Sequence, residues 1–371
     1  MTVKNFDIAI IGGGVIGLAL ARALQDSAGS VAVIDAAQEI PPASFAAAGM
    51  LSPSFEIAER GAAMAEQLYR FGAYSLSLWA DYARGLEDET GLSVDYRADG
   101  TLGVAQSNEE LDAWKEQAHR VSSMGGNVSL ISGEECRALE PALSPNIVGA
   151  MLAPSDAQVD PRRLTDALSK TLWGDQVNAR ITEITKCGDA YRLVTSDGTE
   201  YGAGRVVIAG GAISGLVSRE MVFPVKGEAT ALHFAEGTVK RVIRSDGAYL
   251  CPKAGGRLVI GASETRGRDD FEIDAAAITA LKRNAAALVP VLTDSRELER
   301  WSGLRPGTPD GAPILGKDES GCFLALGHYR NGILHTPAAT EAMAALILGI
   351  EPAAELKAAL AAFGPARLAQ R

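Results

Sequence analysis

Apolar residues near the start of the chain come in short solid runs rather than alternating with polar ones. FDIAII (residues 6–11) and SVAVID (residues 30–35) are of this kind. Unbroken runs of this length suit strands covered on both faces, as in a parallel sheet. Between them, residues 15–24 (VIGLALARAL) carry a helical pattern, so the chain opens with a predicted strand–helix–strand unit. TLGVA (residues 101–105) and CFLAL (322–326) read as further strands, and residues 111–122 as an amphipathic helix. YRLVTSDGTEY (191–201) alternates and turns at Asp197-Gly198, the mark of a hairpin. GRVVIAGGAIS (204–214) is a buried strand running into glycines, and an alanine-rich helix pattern follows GHYRNGILH (327–335).

Composition narrows the class. The chain has 371 residues, 47% of them hydrophobic, which exceeds the usual ~100–200 residues per domain and predicts two domains. A net charge of −11 with no Lys/Arg block argues against a nucleic-acid partner. Cys136, Cys187, Cys251 and Cys322 are scattered, form no C-x-x-C and suit a reducing compartment; with four dispersed histidines they predict no metal site. No signal peptide and no long uninterrupted apolar run is read, so the expectation is a soluble cytoplasmic protein without a membrane partner.

The first chemistry lies between the two opening strands. Gly12, Gly14 and Gly17 form G-x-G-x-x-G, and Asp35 ends the second strand 18 residues after Gly17. Gly12 permits the tight turn, Gly14 lets the backbone approach a pyrophosphate, and Gly17 lets helix and strand pack closely. The helix start offers free N–H groups, and Asp35 suits a ribose hydroxyl. The motif itself leaves NAD and FAD open. ASFAAAGMLSP (43–53) then places small residues where a surface loop is normally polar, as if the backbone slid along a flat ligand.

Six segments in order, IIGGGVIGLALA, ASFAAAGML, PVKGE, GAYLCPKAGGRLVIGAS, GLRPGTPDGAPILG and GHYRNGIL, resemble the D-amino-acid-oxidase superfamily of FAD-dependent oxidoreductases, most closely its glycine oxidase branch. The resemblance spans nearly the whole chain. It implies an α/β fold in which an interrupted Rossmann-like FAD-binding domain (1–85, 150–220 and 318–371) is interleaved with an α+β substrate domain containing a mixed sheet (86–149 and 221–317). Non-covalent FAD is the implied cofactor. Its implied contacts are Gly12, Gly14, Val15, Ile16 and Gly17, then Asp35 and Ala36. Ala43, Ser44, Ala47, Ala48, Gly49 and Met50 follow, with Ile181 farther on. The last group is His328, Tyr329, Arg330, Asn331, Gly332, Ile333 and Leu334, with the helix from about Ile333 aiming its positive end at the flavin ring.

Arg305 is the implied grip on a substrate carboxylate, for which a guanidinium is a planar two-point fork. Tyr249 helps hold that carboxylate, Arg330 points into the cavity above the ring, and Met50 and Glu264 complete the substrate side. The implied reaction is oxidation of glycine, sarcosine or a small D-amino acid by hydride transfer to flavin N5. It yields an oxo acid, ammonia and, with oxygen as acceptor, hydrogen peroxide, and serves thiamine biosynthesis or catabolism. Family members tend to form homo-oligomers.

Three positions depart from the pattern. Ser263-Glu264 replaces Thr and an apolar residue; Glu264 either narrows the pocket, attracts a second amino group, or is a solvated charge at a strand end. His335 stands where an apolar residue is usual and is expected to face the second domain. Ile213 replaces a tryptophan. The competing readings are an amino-acid or amine dehydrogenase using another acceptor, a non-catalytic FAD-binding subunit, and an NAD enzyme; the last leaves the small-residue segment and the motifs beyond residue 300 without a purpose.

Overall fold

The structure, a computed structural model, describes residues 3–36, 42–57 and 62–368. An eight-stranded sheet has the strand Lys4–Ile11 at its centre, paired in parallel with Val31–Asp35 on one side and Glu200–Ile208 on the other. Asp175–Asn178 and Phe323–Leu326 extend it in parallel, Ile314–Lys317 closes one edge antiparallel, and the meander Ile181–Cys187 and Ala190–Thr195 hangs from Glu200–Ile208. The solid apolar run has its explanation here. Ile8 and Ile10 pack against the helices Val15–Leu24, Ala62–Thr90 and Gly332–Leu348, while Ala9 and Ile11 pack on the opposite face with Ile181, Tyr191 and Leu193.

The second sheet has nine strands. Its long strand Phe223–His233 pairs antiparallel with Arg257–Gly261, Thr265–Arg266 and Glu297–Gly307. Tyr249–Lys253, Val242–Arg244, Thr101–Ala105, Gly149–Ala153 and Ser129–Ser132 continue it, with one parallel pair, so the sheet is mixed. Sheet membership departs from the sequence boundaries at two strands. Gly149–Ala153 belongs to the second sheet and Ile314–Lys317 to the first, because each pairs there across its full length at a point where the chain changes sheets.

Two local readings also change. Residues 43–53 are not one loop: Ala43–Ala46 is a helical turn, Met50–Leu51 a short strand paired with Ala157–Gln158, and Pro53–Phe55 a 3-10 turn. The helix Gly332–Leu348 runs through Pro337, which has no N–H to give. Neighbours from Ala62–Thr90 repair the ladder there. Ser75 and Trp79 donate to the Leu334 carbonyl at 2.6 and 2.9 Å, and the Ala338 N–H turns to Ser75 Oγ at 3.3 Å.

Candidate active site

A cavity of about 410 Å³ is lined by residues of both sheets. At one end lies the turn after Lys4–Ile11. Gly12 has φ 119°, and a Cβ there would stand 2.4 Å from the Ala209 carbonyl oxygen; one on Gly17 would stand 1.8 Å from the Gly12 carbonyl. Neither position has room for a side chain; Gly12, with Gly14 beside it, lines the cavity as bare backbone. Asp35 accepts the Gly13 N–H at 2.6 Å, and Ser44 Oγ accepts the Val15 N–H at 3.1 Å, which fixes the helix start. A bare turn at a helix N-terminus, beside a carboxylate, is what a dinucleotide pyrophosphate and ribose require, so these residues fit FAD.

Ile16, Ala36 and Ile181 line the same end, followed by Ala43, Ala47, Ala48, Gly49 and Met50. The small-residue segment is clamped from behind: the Trp301 indole donates to the Ala46 carbonyl at 3.0 Å, and a Cβ on Gly303 would meet Ala46 Cβ at 2.3 Å. Next along the wall come His328, Tyr329, Arg330, Asn331, Gly332 and Ile333. The helix begins at Gly332 after Asn331, whose side chain makes no capping bond, so its first N–H groups are unclaimed by a cap. Tyr329 holds φ 50°, a left-handed conformation uncommon outside glycine.

At the far end are Arg305 and Tyr249, both half-buried. Their side chains lie over glycines of neighbouring strands. A Cβ on Gly227 would touch the Arg305 guanidinium at 2.2 Å, and one on Gly261, paired with Tyr249 across the strands, would touch the Tyr249 hydroxyl at 2.2 Å. These are the glycines of PVKGE and VIGAS. Arg305 donates to the carbonyls of Ser263 at 3.2 Å and Lys226 at 3.4 Å and makes no ion pair with a described carboxylate. Burial pushes the Tyr249 hydroxyl up to about 12 despite the opposing charge of Arg305, so it stays a donor.

Glu264 is exposed, as a charge near a strand end would be, but it is engaged by partners rather than open to a second amine. It accepts Tyr329 Oη–H at 2.7 Å and Arg330 Nη2–H at 2.5 Å. Burial works against its charge, but these two bonds and the arginines around it hold the carboxyl below its usual range. Arg330 therefore stands at the cavity wall already paired. His335 is fully buried and does not face the second sheet: its Nδ1 lies 3.3 Å from His328 Nδ1, and its ring packs on Phe71 of the helix Ala62–Thr90. Burial lowers the His328 pKa to about 3, so its ring is neutral.

Of the residues expected at the cofactor, Gly17 and Leu334 do not line the cavity. Gly17 packs helix on strand, and the Leu334 side chain is turned into the core toward Gly72. The sequence reading missed Arg244 and Glu56, an ion pair at 2.9 Å on the cavity wall. Arg244 ends the strand Val242–Arg244 and pairs with Tyr249 on the next, and the parallel pairing with Thr101–Ala105 that orients it leaves no local pattern. Ile213 also lines the cavity. Among the described residues no cluster of His, Cys, Asp or Glu could hold a metal ion, and no helix is long and apolar enough to cross a membrane.

The family of FAD dependent oxidoreductases designated DAO matches residues 7–346. The glycine oxidase of Geobacillus kaustophilus (strain HTA426) is 33% identical over 348 residues, covering 90% of each chain. The crystal structure of glycine oxidase from Geobacillus kaustophilus superposes with a TM-score of 0.87 at 31% identity, over 95% of this chain and 96% of that one. The bifunctional protein ThiO/ThiG of Synechocystis sp. (strain PCC 6803) is 32% identical, over 92% of this chain and 51% of its own length.

Proposed function

As a member of the DAO family of FAD dependent oxidoreductases, the chain is an FAD-dependent oxidase acting on amino or amine CH–NH groups, and we propose that its substrate is glycine or another small monocarboxylic amino acid or amine such as sarcosine. The products are the oxo acid, ammonia or the released amine, and hydrogen peroxide, with oxygen as acceptor. One observation carries this reading: Arg305, bonded only to carbonyls, lies beside Tyr249, whose hydroxyl has no partner among the described residues.

Bound FAD supplies the two-electron oxidation of the carbon–nitrogen bond. Non-covalent binding is expected, since no cysteine lines the cavity and the one lining histidine, His328, is buried against His335. Arg305 takes the substrate carboxylate as a two-point fork, and Tyr249 donates a further hydrogen bond to it. Fixing the carboxylate fixes the α-carbon, which is the positioning such a reaction needs. Glu56 and Glu264 are each committed to an arginine, so the substrate reacts as the free amine, its proton lost to solvent before it is seated. The Gly12–Gly17 turn, Asp35 and the residues of 43–50 hold the cofactor. The two sheets correspond to a cofactor domain and a substrate domain. The ThiO/ThiG relative makes thiamine biosynthesis the pathway to examine first.

The test is anaerobic addition of glycine, sarcosine, D-alanine or D-proline to the holoenzyme, followed by air. Bleaching of the flavin with rapid recovery is expected. Bleaching with slow recovery assigns a non-oxygen acceptor, and no bleaching by any of the four overturns the reading.

A further inference from the structure

Glu264, Tyr329 and Arg330 form a contact that spans the two sheets. Glu264 follows the strand Arg257–Gly261 of the second sheet, whereas Tyr329 and Arg330 follow Phe323–Leu326 of the first. Both of its carboxylate oxygens are engaged, one by the Tyr329 hydroxyl, with Arg266 Nε 3.7 Å from the same oxygen, and the other by the Arg330 guanidinium. The left-handed backbone at Tyr329, whose N–H is held by the Pro306 carbonyl at 3.0 Å, sets the turn that presents the two donors in succession. All three side chains line the same cavity as Arg305.

The charges decide what this does. Arg244 is paired with Glu56 and Arg330 with Glu264, the Glu56 charge acting on Arg330 as well, whereas among the described residues Arg305 alone of these three arginines has no ion-pair partner. A substrate with one carboxylate finds one available guanidinium. A substrate with two finds its second carboxylate beside an arginine that is already matched and against an ionised glutamate that repels it. Removing the Glu264 charge, in contrast, leaves Arg330 on the cavity wall without its bonded carboxylate and able to take another anion.

We propose that the Glu264–Arg330 pair sets the charge class of the substrate: Glu264 masks a latent second carboxylate site at Arg330 and confines the enzyme to monocarboxylic amines. Glu264 is thus a specificity-determining residue, acting by neutralising Arg330 rather than by touching the reacting carbon. This rests on the monocarboxylate site at Arg305 proposed above.

Sarcosine and iminodiacetate form a matched pair of secondary amines, the second differing by a carboxylate in place of a hydrogen, and acetate and malonate form the matching pair of unreactive ligands. The wild-type holoenzyme is expected to prefer sarcosine in kcat/KM and acetate in calorimetric Kd. Glu264→Gln shifts both preferences toward the dicarboxylate by roughly tenfold or more, the scale of a close charge pair. Glu264→Met, which fills the space without a polar group, gives the same shift should the glutamine variant fold poorly. Adding Arg330→Met to either variant abolishes the shift. Unchanged preferences in both folded, flavin-loaded Glu264 variants overturn the proposal, as does a shift that survives Arg330→Met or a wild type that already favours the dicarboxylates. A wild type that oxidises neither amine and binds neither acid removes the Arg305 site itself, a separate failure that the ligand pairs reveal directly.

Discussion

The two ends of the cavity are built in opposite ways. The nucleotide end is backbone and absence: Gly12 and Gly17 stand where no side chain fits, and a single carboxylate, Asp35, orders the turn. The substrate end is long side chains laid over floors of glycine, with Arg305 across Gly227 and Tyr249 across Gly261. The first is centred on one contiguous turn, braced by Asp35, Ser44 and Ala209, and the second on residues from separate strands. It follows that change at the nucleotide end is a question of whether the site exists, while change at the substrate end is a question of what it accepts.

Four experiments put pressure on that contrast. The largest effect is expected from Gly17→Val, whose Cβ falls 1.8 Å from the Gly12 carbonyl. Overpacking of this kind costs about 1–3 kcal/mol or more, and here it displaces the turn itself. Purified protein should carry no flavin absorbance; a variant retaining stoichiometric FAD shows that the turn has give. Arg305→Met comes next. Loss of a charged grip should lower kcat/KM for glycine by about 10²–10³-fold while FAD stays bound, on the scale of a truncated charge pair. A flavin-depleted Arg305→Met protein would blur the contrast between the ends.

Tyr249→Phe removes one hydrogen bond to a charged partner and should cost about 10-fold in kcat/KM. Because the hydroxyl's pKa is pushed up to about 12, the wild-type to Phe ratio should stay flat between pH 7 and 10. A ratio that closes at alkaline pH means that the hydroxyl ionises. The smallest effect concerns stability. The pKa of His328 falls to about 3 in the folded protein from an unfolded value near 6.5. Between those values the unfolded chain binds the extra proton, so stability falls with acidity through that window and levels off below it. The urea midpoint should drop from pH 7 to pH 5, and His328→Gln should flatten the drop; an equal slope in both proteins refutes the assignment.

Legibility followed the same division. The opening strand–helix–strand unit was readable because its signal is contiguous: the helix Val15–Leu24 falls where the pattern places it. Thr101–Ala105 and the Asp197-Gly198 hairpin were readable for the same reason. What escaped were features fixed by partners far away in the chain. The pairing of Glu264 with Arg330 bridges 66 residues, and that of Arg244 with Glu56 bridges 188. His335 looked like a residue bound for the other domain because a polar side chain on an apolar helix suggests an exit from the core. Its partner, His328, lies one strand-to-helix turn away and satisfies it internally. The helical turn at Ala43–Ala46 was hidden because four residues carry too little periodicity to show it.

The strand order of the first sheet has a consequence for how the enzyme is made. Lys4–Ile11 and its neighbour Val31–Asp35 precede their parallel partner Glu200–Ile208 by well over a hundred residues, and Phe323–Leu326 with the turn at Asn331 comes later still. The glycine turn is thus synthesised well before the walls that complete it. A nascent chain stalled before the helix Gly332–Leu348 is expected to hold the dinucleotide motif in full and to retain no flavin.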